Sequence, residues 1–600
     1  MKNALYFQIR SNIYRIYVSF LVALITAISY SSLYASPETA LDDYINSGDG
    51  YNYSVVNQIP GANYIIYLVY MYSQQWRSPG EVDRPLWSHW MGIIIPNQVT
   101  KNTGMLIISG GNNDDLPDPS SSEVIAGAQI AVTSESVVTV LGQVPNQPLS
   151  FTDEPYPHSE DHLVAYSFDK FMNTGDPFWP VYLPMTKAAV KAMDTVQSIV
   201  TPLISPHSVD NFVVTGFSKR GATAWLTGVV DKRVLAIAPG VFDILNMDEQ
   251  LEHHYSVYGF YSDALHDYSD YDIIRRIRSP EGQDLLKIVD PYSYLDRLDM
   301  PKFLINSTGD EFFVPDSARF YFDDLAGETL IRYVANTGHA LETQPGDISD
   351  AVASIASWYI NILDDNPRPT VTWSKQNGNL VVQTNQQPAL VRFWHATNTN
   401  ERDFRLETIG KAWSYTPLLP SAPGTFTAPI PTPAQGWTAY YIDLTFPGPK
   451  GIPQTYSTQV YVSPDTTPYE VIDPLGDPRG LGYWKHQVQV AVTGVGNSQI
   501  SGETLQSYFP VPLFDEYIKN INAAAELYAE TPGTPQIKAK QHCLSTRLNI
   551  AQKQLGWYTP LQINGFAPEK LWQLYAVAHD SYLKGDYQKS KNICEAINSL

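Results

Sequence analysis

The stretch NFVVTGFSKRGATAWLTGVV, residues 211–230, constrains the fold of this chain more than any other. Its first part reads as a buried strand and its last part as a helix, which leaves only a sharp turn carrying Ser218 between them. This is the layout of a nucleophile elbow, in which a serine on a strained strand-to-helix turn presents its hydroxyl above the carboxyl ends of a parallel sheet. A serine between a strand and a helix also serves as an ordinary N-cap, and a GxSxxG string alone is weak. The rest of the chain has to decide between the two.

From about Tyr51 to Ala335 short apolar runs alternate with helical patterns. GMLIISGG, VVTVLGQVP, FVVTG, VLAIAP, KFLINS and LIRYVAN read as strands. PMTKAAVKAMDTVQSIVTP reads as a helix with Ala189, Met193, Val196 and Val200 on one face. Such alternation predicts an α/β fold of the α/β-hydrolase type, a mostly parallel sheet with helices on both faces. ANYIIYLVYMYSQQWR and LWSHWMGIIIPNQV are expected as flanking antiparallel strands.

The pattern changes at NPRPTVTW, where proline-rich, regularly spaced short strands begin, such as ALVRFWHA and WTAYYIDLTF. These predict a β-sandwich of immunoglobulin or fibronectin type over 366–465. Residues 466–600 read as mainly helical, and 36–365 as the hydrolase-like domain, with an insertion at about 247–295 expected to cap the site. The insertion is rich in tyrosine and histidine. Tyr255, Tyr258, Tyr261, Tyr268 and Tyr271 are candidates to line a cleft. His253 and His254 could in principle bind a metal, but adjacent histidines without other spaced ligands favour aromatic packing.

An activated serine needs a base within reach and a carboxylate to orient it. In hydrolases of this type the order is serine, acid, histidine, each in a loop after a late strand. KFLINSTGDEFFVPDSA places Asp310 after one strand and LIRYVANTGHALE places His339 after the next. Glu311 and Asp316 compete with Asp310 for the acid. The oxyanion would be met by the backbone N–H of Lys219 and by the turn of Gly110, Gly111 and Asn112, unless that turn merely requires glycine. Arg220 stands where the usual elbow has glycine, and Gly221 follows it. A structural ion pair is the expected use of that arginine.

The runs VTGFSKRGATAWLTGVVDKRVLAIAP, INSTGDEFFVPDSARFYFDDLAGE, YLPMTKAAVKAMD, NERDFR and GWTAYYIDLTF resemble the PhoPQ-activated pathogenicity-related protein family over roughly Leu41 to Ser463. The resemblance implies an exported hydrolase-like domain followed by a β-domain. It also implies that SKRG at Ser218–Gly221 and GDEFF at Gly309–Phe313 are family features. The family name supplies no substrate. Its eukaryotic members suggest secreted signalling and dipeptidyl-peptidase-like activity.

At the amino end Lys2, Arg10 and Arg15 precede an apolar run from Ile16 to Ile28 and small residues ending at Ala35, the three regions of a signal peptide. The run is shorter than a spanning helix needs, so cleavage near Ala35 into the periplasm or medium is expected, with no stable membrane insertion afterwards. Acidic residues outnumber basic ones 61 to 39, for a net charge of −22, and no basic block interrupts them, which argues against nucleic acid as a partner. Cys543 and Cys594 either pair or remain as two buried thiols.

The leading expectation is a cofactor-free serine hydrolase acting on a small ester or peptide. Ser218 would be the nucleophile, His339 the base and Asp310 the orienting acid. The alternative is a catalytically weak or inactive scaffold that binds a cell-envelope or host protein. Carbohydrate binding through the 13 Trp and 39 Tyr is a third, weaker expectation.

Overall fold

The computed structural model describes residues 36–48, 50–531 and 533–600; the expected signal segment lies outside the described residues. Nine strands form one sheet: β1 (Asn52–Pro60), β2 (Tyr64–Gln75), β3 (Leu86–Pro96), β4 (Thr103–Ile108), β5 (Val138–Leu141), β6 (Asn211–Phe217), β7 (Val234–Gly240), β8 (Lys302–Ser307) and β9 (Thr329–Val334). Their order is β1-β2-β3-β5-β4-β6-β7-β8-β9. β1, β2, β3 and β5 pair antiparallel, and every pair from β5 onward is parallel. This is the α/β-hydrolase arrangement, with β1 added at the edge.

Burial explains the two kinds of strand. β5 and β8 are buried at every position, so β5 and the Phe303–Ile305 centre of β8 read as runs without exposed polar residues. β3 alternates buried and partly exposed residues along most of its length, as an antiparallel strand with one wetter face does. Within β6, Phe212 and Val214 join one core while Val213 joins the other, so successive side chains serve opposite faces.

Helices cover both faces. α1 (Ser122–Ser134) packs with the core of Val213, while α2 (Glu160–Thr174), α3 (Tyr182–Val200) and α4 (Lys219–Val230) pack with that of Phe212 and Val214. The predicted stripe Ala189, Met193, Val196 and Val200 is fully buried in α3. Between β7 and β8 the insertion forms α5 (Met247–Tyr258), short helical turns, and α6 (Pro280–Val289). α7 (Ser349–Leu363) follows β9 and adds Trp358 and Tyr359 to the core of Val213.

The β-rich region consists of a three-stranded sheet, β10 (Val371–Gln376), β11 (Asn379–Thr384) and β14 (Thr425–Pro429), and a five-stranded one. The latter holds β12 (Leu390–Asn398), β13 (Ser414–Pro417), β15 (Trp437–Phe446), β16 (Gln454–Ser457) and β17 (Tyr461–Ser463). Leu380 and Phe426 of the first share a core with Ile442 and Leu444 of the second. That core is continuous with Trp358 and Phe303 of the hydrolase sheet, so the β-layer is fused to the sheet and does not hang from a linker.

The carboxyl-terminal region has its own core, built mainly by α8 (Leu481–Thr493), α9 (Pro535–Ala551), α10 (Leu571–Leu583) and α11 (Tyr587–Ile597). Of the two open possibilities for the cysteines, the pair is found: Cys543 of α9 is bonded to Cys594 of α11. This region grips the cap. Arg547 pairs with Glu281, Lys570 with Glu252, and Arg275 of the cap with Asp473, while Arg278 lies over the Trp572 ring at 4.8 Å. Among the described residues no helix is long and apolar enough to cross a membrane.

Candidate active site

β6 ends in the main-chain conformation that an elbow requires. Ser218 has φ 56° and ψ −128°, a region that a non-glycine residue occupies at a cost of about 1–3 kcal/mol. Its side chain makes no capping bond to α4, so the N-cap role does not account for the serine. Two close approaches shape the turn. A Cβ at Gly216 would meet the Arg220 carbonyl oxygen at 2.5 Å, and one at Gly221 would meet the Gly240 carbonyl oxygen at 2.9 Å. The displaced glycine at 221 therefore seats the start of α4 against β7.

Arg220 turns away from that contact. Its guanidinium makes a two-pronged pair with Glu160, 2.7 Å on each arm, and donates from Nε to the Val144 carbonyl. A Cβ at Gly110 would lie 2.7 Å from Arg220 Nη2, so the glycine turn after β4 rests on the arginine. Lys219 Nζ lies 2.8 Å from Glu160 and 3.0 Å from Asp161, and Asp161 accepts a further hydrogen bond from Tyr268 of the cap at 2.8 Å. Burial works against ionisation of Glu160, but Arg220 and Lys219 hold its carboxyl far below the ordinary range. Glu160 and Asp161 escaped the sequence reading. Two acids in the first turn of a helix signal little more than a helix start.

Because β6, β8 and β9 are parallel, the loops after them open at one end of the sheet. Asp310 follows β8 and His339 follows β9. His339 Nδ1 lies 3.0 Å from both Asp310 carboxylate oxygens. Asp310 also accepts the backbone N–H groups of Phe312 and Phe313, which fix its orientation. Burial disfavours the imidazolium, yet the Asp310 carboxylate outweighs it and raises His339 above the ordinary 6.5. The competing acids are engaged elsewhere. Glu311 accepts the backbone N–H of His339 at 2.9 Å, and Asp316 is held by Arg402 at 2.8 Å and by His253 at 3.1 Å. His339 Nε2 is buried without a hydrogen-bond partner, so it is not bonded to Ser218 in this conformation.

The turn after β4 is only partly free to bind an anion. The Asn112 N–H donates to Asp115 at 2.6 Å, so the expected contribution of Asn112 is not met: its donor is already spent. Gly110 and Gly111 line a separate cavity of ≈ 360 Å³ together with Trp90 and Gln143. The N–H of Lys219, at the first position of α4, has no acceptor within its own helix.

Ser218 opens into a cavity of ≈ 70 Å³ whose walls are almost wholly apolar. Leu251, Leu265, Ile274 and Leu286 come from the cap, and Phe242 and Phe313 from the sheet loops. Of the five cap tyrosines only Tyr268 reaches this cavity. Tyr271 packs instead on His162 and Tyr166, and Tyr258 and Tyr261 pack on His254, because their rings fill gaps within the cap and beside it. Tyr255 lies against Tyr261 and the carboxyl-terminal core. His253 bonds Asp316, and His254 accepts the Ser262 N–H, which leaves neither as a free ligand.

Comparison with known proteins places these elements in context. The chain is 35% identical over 480 residues to autocrine proliferation repressor protein A of Dictyostelium discoideum, covering 75% of this chain and 95% of that protein. Similar solved structures include acetyl xylan esterase 1 from Thermoanaerobacterium sp. JW/SL YS485, with 14% identity, 54% of this chain, 92% of that chain and a TM-score of 0.36. A glucuronoyl esterase from Solibacter usitatus has 12% identity, 55% and 91% coverage and a TM-score of 0.31. The family model for PhoPQ-activated pathogenicity-related proteins matches residues 41–405. That span takes in the whole nine-stranded sheet, the cap and the loops of Ser218, Asp310 and His339, and ends at the Arg402–Arg405 segment that braces the loop after β8, and the chain belongs to the PhoPQ-activated pathogenicity-related protein family.

Proposed function

We propose that the protein is a serine hydrolase that cleaves an ester through Ser218, His339 and Asp310. The observation that carries this is the strained, non-capping Ser218 above a sheet whose loops after β8 and β9 hold an Asp310–His339 pair. His339 Nε2 would take the Ser218 proton as Oγ bonds the acyl carbon, then return it to the leaving alcohol as the acyl–oxygen bond breaks. Water would release the acid by the reverse relay. The N–H of Lys219, which has no acceptor within its own helix, would meet the oxyanion. The unbonded Nε2 suits this role, since such contacts often close only on substrate.

The activity is checked with p-nitrophenyl butyrate. Turnover by the wild type that falls by about 10³-fold or more in Ser218→Ala and in His339→Ala supports the reading. Equal rates in all three contradict it.

We read the chain as exported, and the disulfide supports an oxidising compartment. Sequencing the mature amino end tests this: a start near Ser36 agrees, and a retained Met1 contradicts. A scaffold that only binds a partner is favoured by a relative named for repressing proliferation. Absence of turnover in a folded wild type would favour it.

A further inference from the structure

The polar groups lining the Ser218 cavity besides Ser218 itself are Asp161, Lys219, Tyr182 and Tyr268, and each is already matched, Tyr182 by a hydrogen bond with Tyr268. Lys219 Nζ is shared between Glu160 and Asp161, and Tyr268 donates to the second oxygen of Asp161. A substrate ammonium would find no unpaired carboxylate, and a substrate carboxylate no unpaired cation. Burying either charge among Leu251, Ile274, Leu286 and Phe313 is strongly unfavourable. What the walls reward is apolar surface.

Resting on Ser218 as nucleophile, we propose that the cavity is an acyl pocket selecting neutral aliphatic acyl groups, and that the chain is an esterase for acyl groups of moderate length. The cap supplies most of the wall and so sets the length. A cavity of ≈ 70 Å³ admits a few water-sized groups and no long chain, which places the optimum at a short to moderate acyl chain. The same closed network disfavours aminopeptidase chemistry. Recognition of a free peptide amino end requires an acid that is not already neutralised, and Glu160 and Asp161 both face Lys219.

The test uses the full mature chain, p-nitrophenyl esters from acetate to dodecanoate, a dipeptidyl p-nitroanilide with a free amino end, and a fluorophosphonate label. Each methylene should raise kcat/KM about fourfold from acetate up to that optimum, with a fall beyond it. The dipeptidyl anilide should be slower than the best ester by about 100-fold or more. Ile274→Trp should move the optimum to shorter chains, and Leu286→Ala to longer ones, so that one oversized and one undersized variant bracket the pocket. A labelled protein whose rates are flat with chain length, or which prefers the dipeptide, overturns the acyl pocket and leaves the nucleophile standing. A folded protein that is neither labelled nor active overturns the nucleophile, and the pocket with it.

Discussion

Removing Arg547 should loosen the cap from a distance. Arg547 of α9 and Glu281 in the first turn of α6 form a two-pronged pair at 2.6 and 3.2 Å, with side chains 9% and 3% exposed. The guanidinium also lies 5.0 Å from the Trp557 ring. Arg547→Met keeps much of the packing but strands a buried carboxylate, which costs about 3–5 kcal/mol. At about 2–4 °C per kcal/mol for a unit of this size, the transition that includes the cap should fall by roughly 6–20 °C. Burial opposes ionisation of Glu281, but Arg547 holds it below the ordinary 4.5. A depressed folded value means that this stabilisation is present above about 4.5 and is lost as pH falls through the lower value. Arg547→Met should reverse that acid sensitivity, because burial then raises Glu281 and its protonation relieves the stranded charge. Calorimetry gives the shift, and hydrogen exchange over 280–289 locates it. Glu281→Leu combined with Arg547→Leu should recover at least half the loss, since an apolar pair in place of a buried ion pair is often tolerated. A single variant within about 1 kcal/mol of wild type, or a double variant no better than the single, would refute the clamp.

Asp310→Asn should lower kcat by about 10⁴-fold through the wrong histidine tautomer, and Glu311→Gln should cost far less because Glu311 meets only the His339 backbone; equal losses would remove Asp310 from its role. His339 must be neutral to act as a base, and its folded value is raised, so kcat/KM should fall on the acid side with a midpoint above 6.5 that moves downward in Asp310→Asn. The Asp310–His339 pair should likewise stabilise the fold fully below 6.5 and lose that contribution as pH rises through the raised value, readable as a pH-dependent Tm. Gly221→Ala, whose Cβ would sit 2.9 Å from the Gly240 carbonyl oxygen, should displace the elbow and cut ester turnover by about 10²-fold; wild-type rates would show that α4 can shift without consequence.

The sheet was legible because buried parallel strands leave unbroken apolar runs and the elbow leaves a short turn between two opposed periodicities. Ser218, Asp310 and His339 could be named because this fold fixes both their order and their position after strands. What escaped was the bracing. Glu160 and Asp161 reach Lys219 and Arg220 only once the first turn of α2 folds against the elbow, and Arg402 reaches Asp316 across a long stretch of chain. Neither pairing leaves a spacing to read. The cap tyrosines illustrate the opposite error, since abundance of aromatic rings says nothing about which of them face a cavity. Asn112 was named from a glycine-rich turn, but the acid three residues on takes its N–H.

The most direct test of the central claim is to treat the folded protein with a fluorophosphonate and map the adduct by peptide mass spectrometry. One phosphonyl group on Ser218, lost in Ser218→Ala and slowed in His339→Ala, is the predicted result. A folded wild type that stays unmodified, or carries the adduct on another residue, would contradict it.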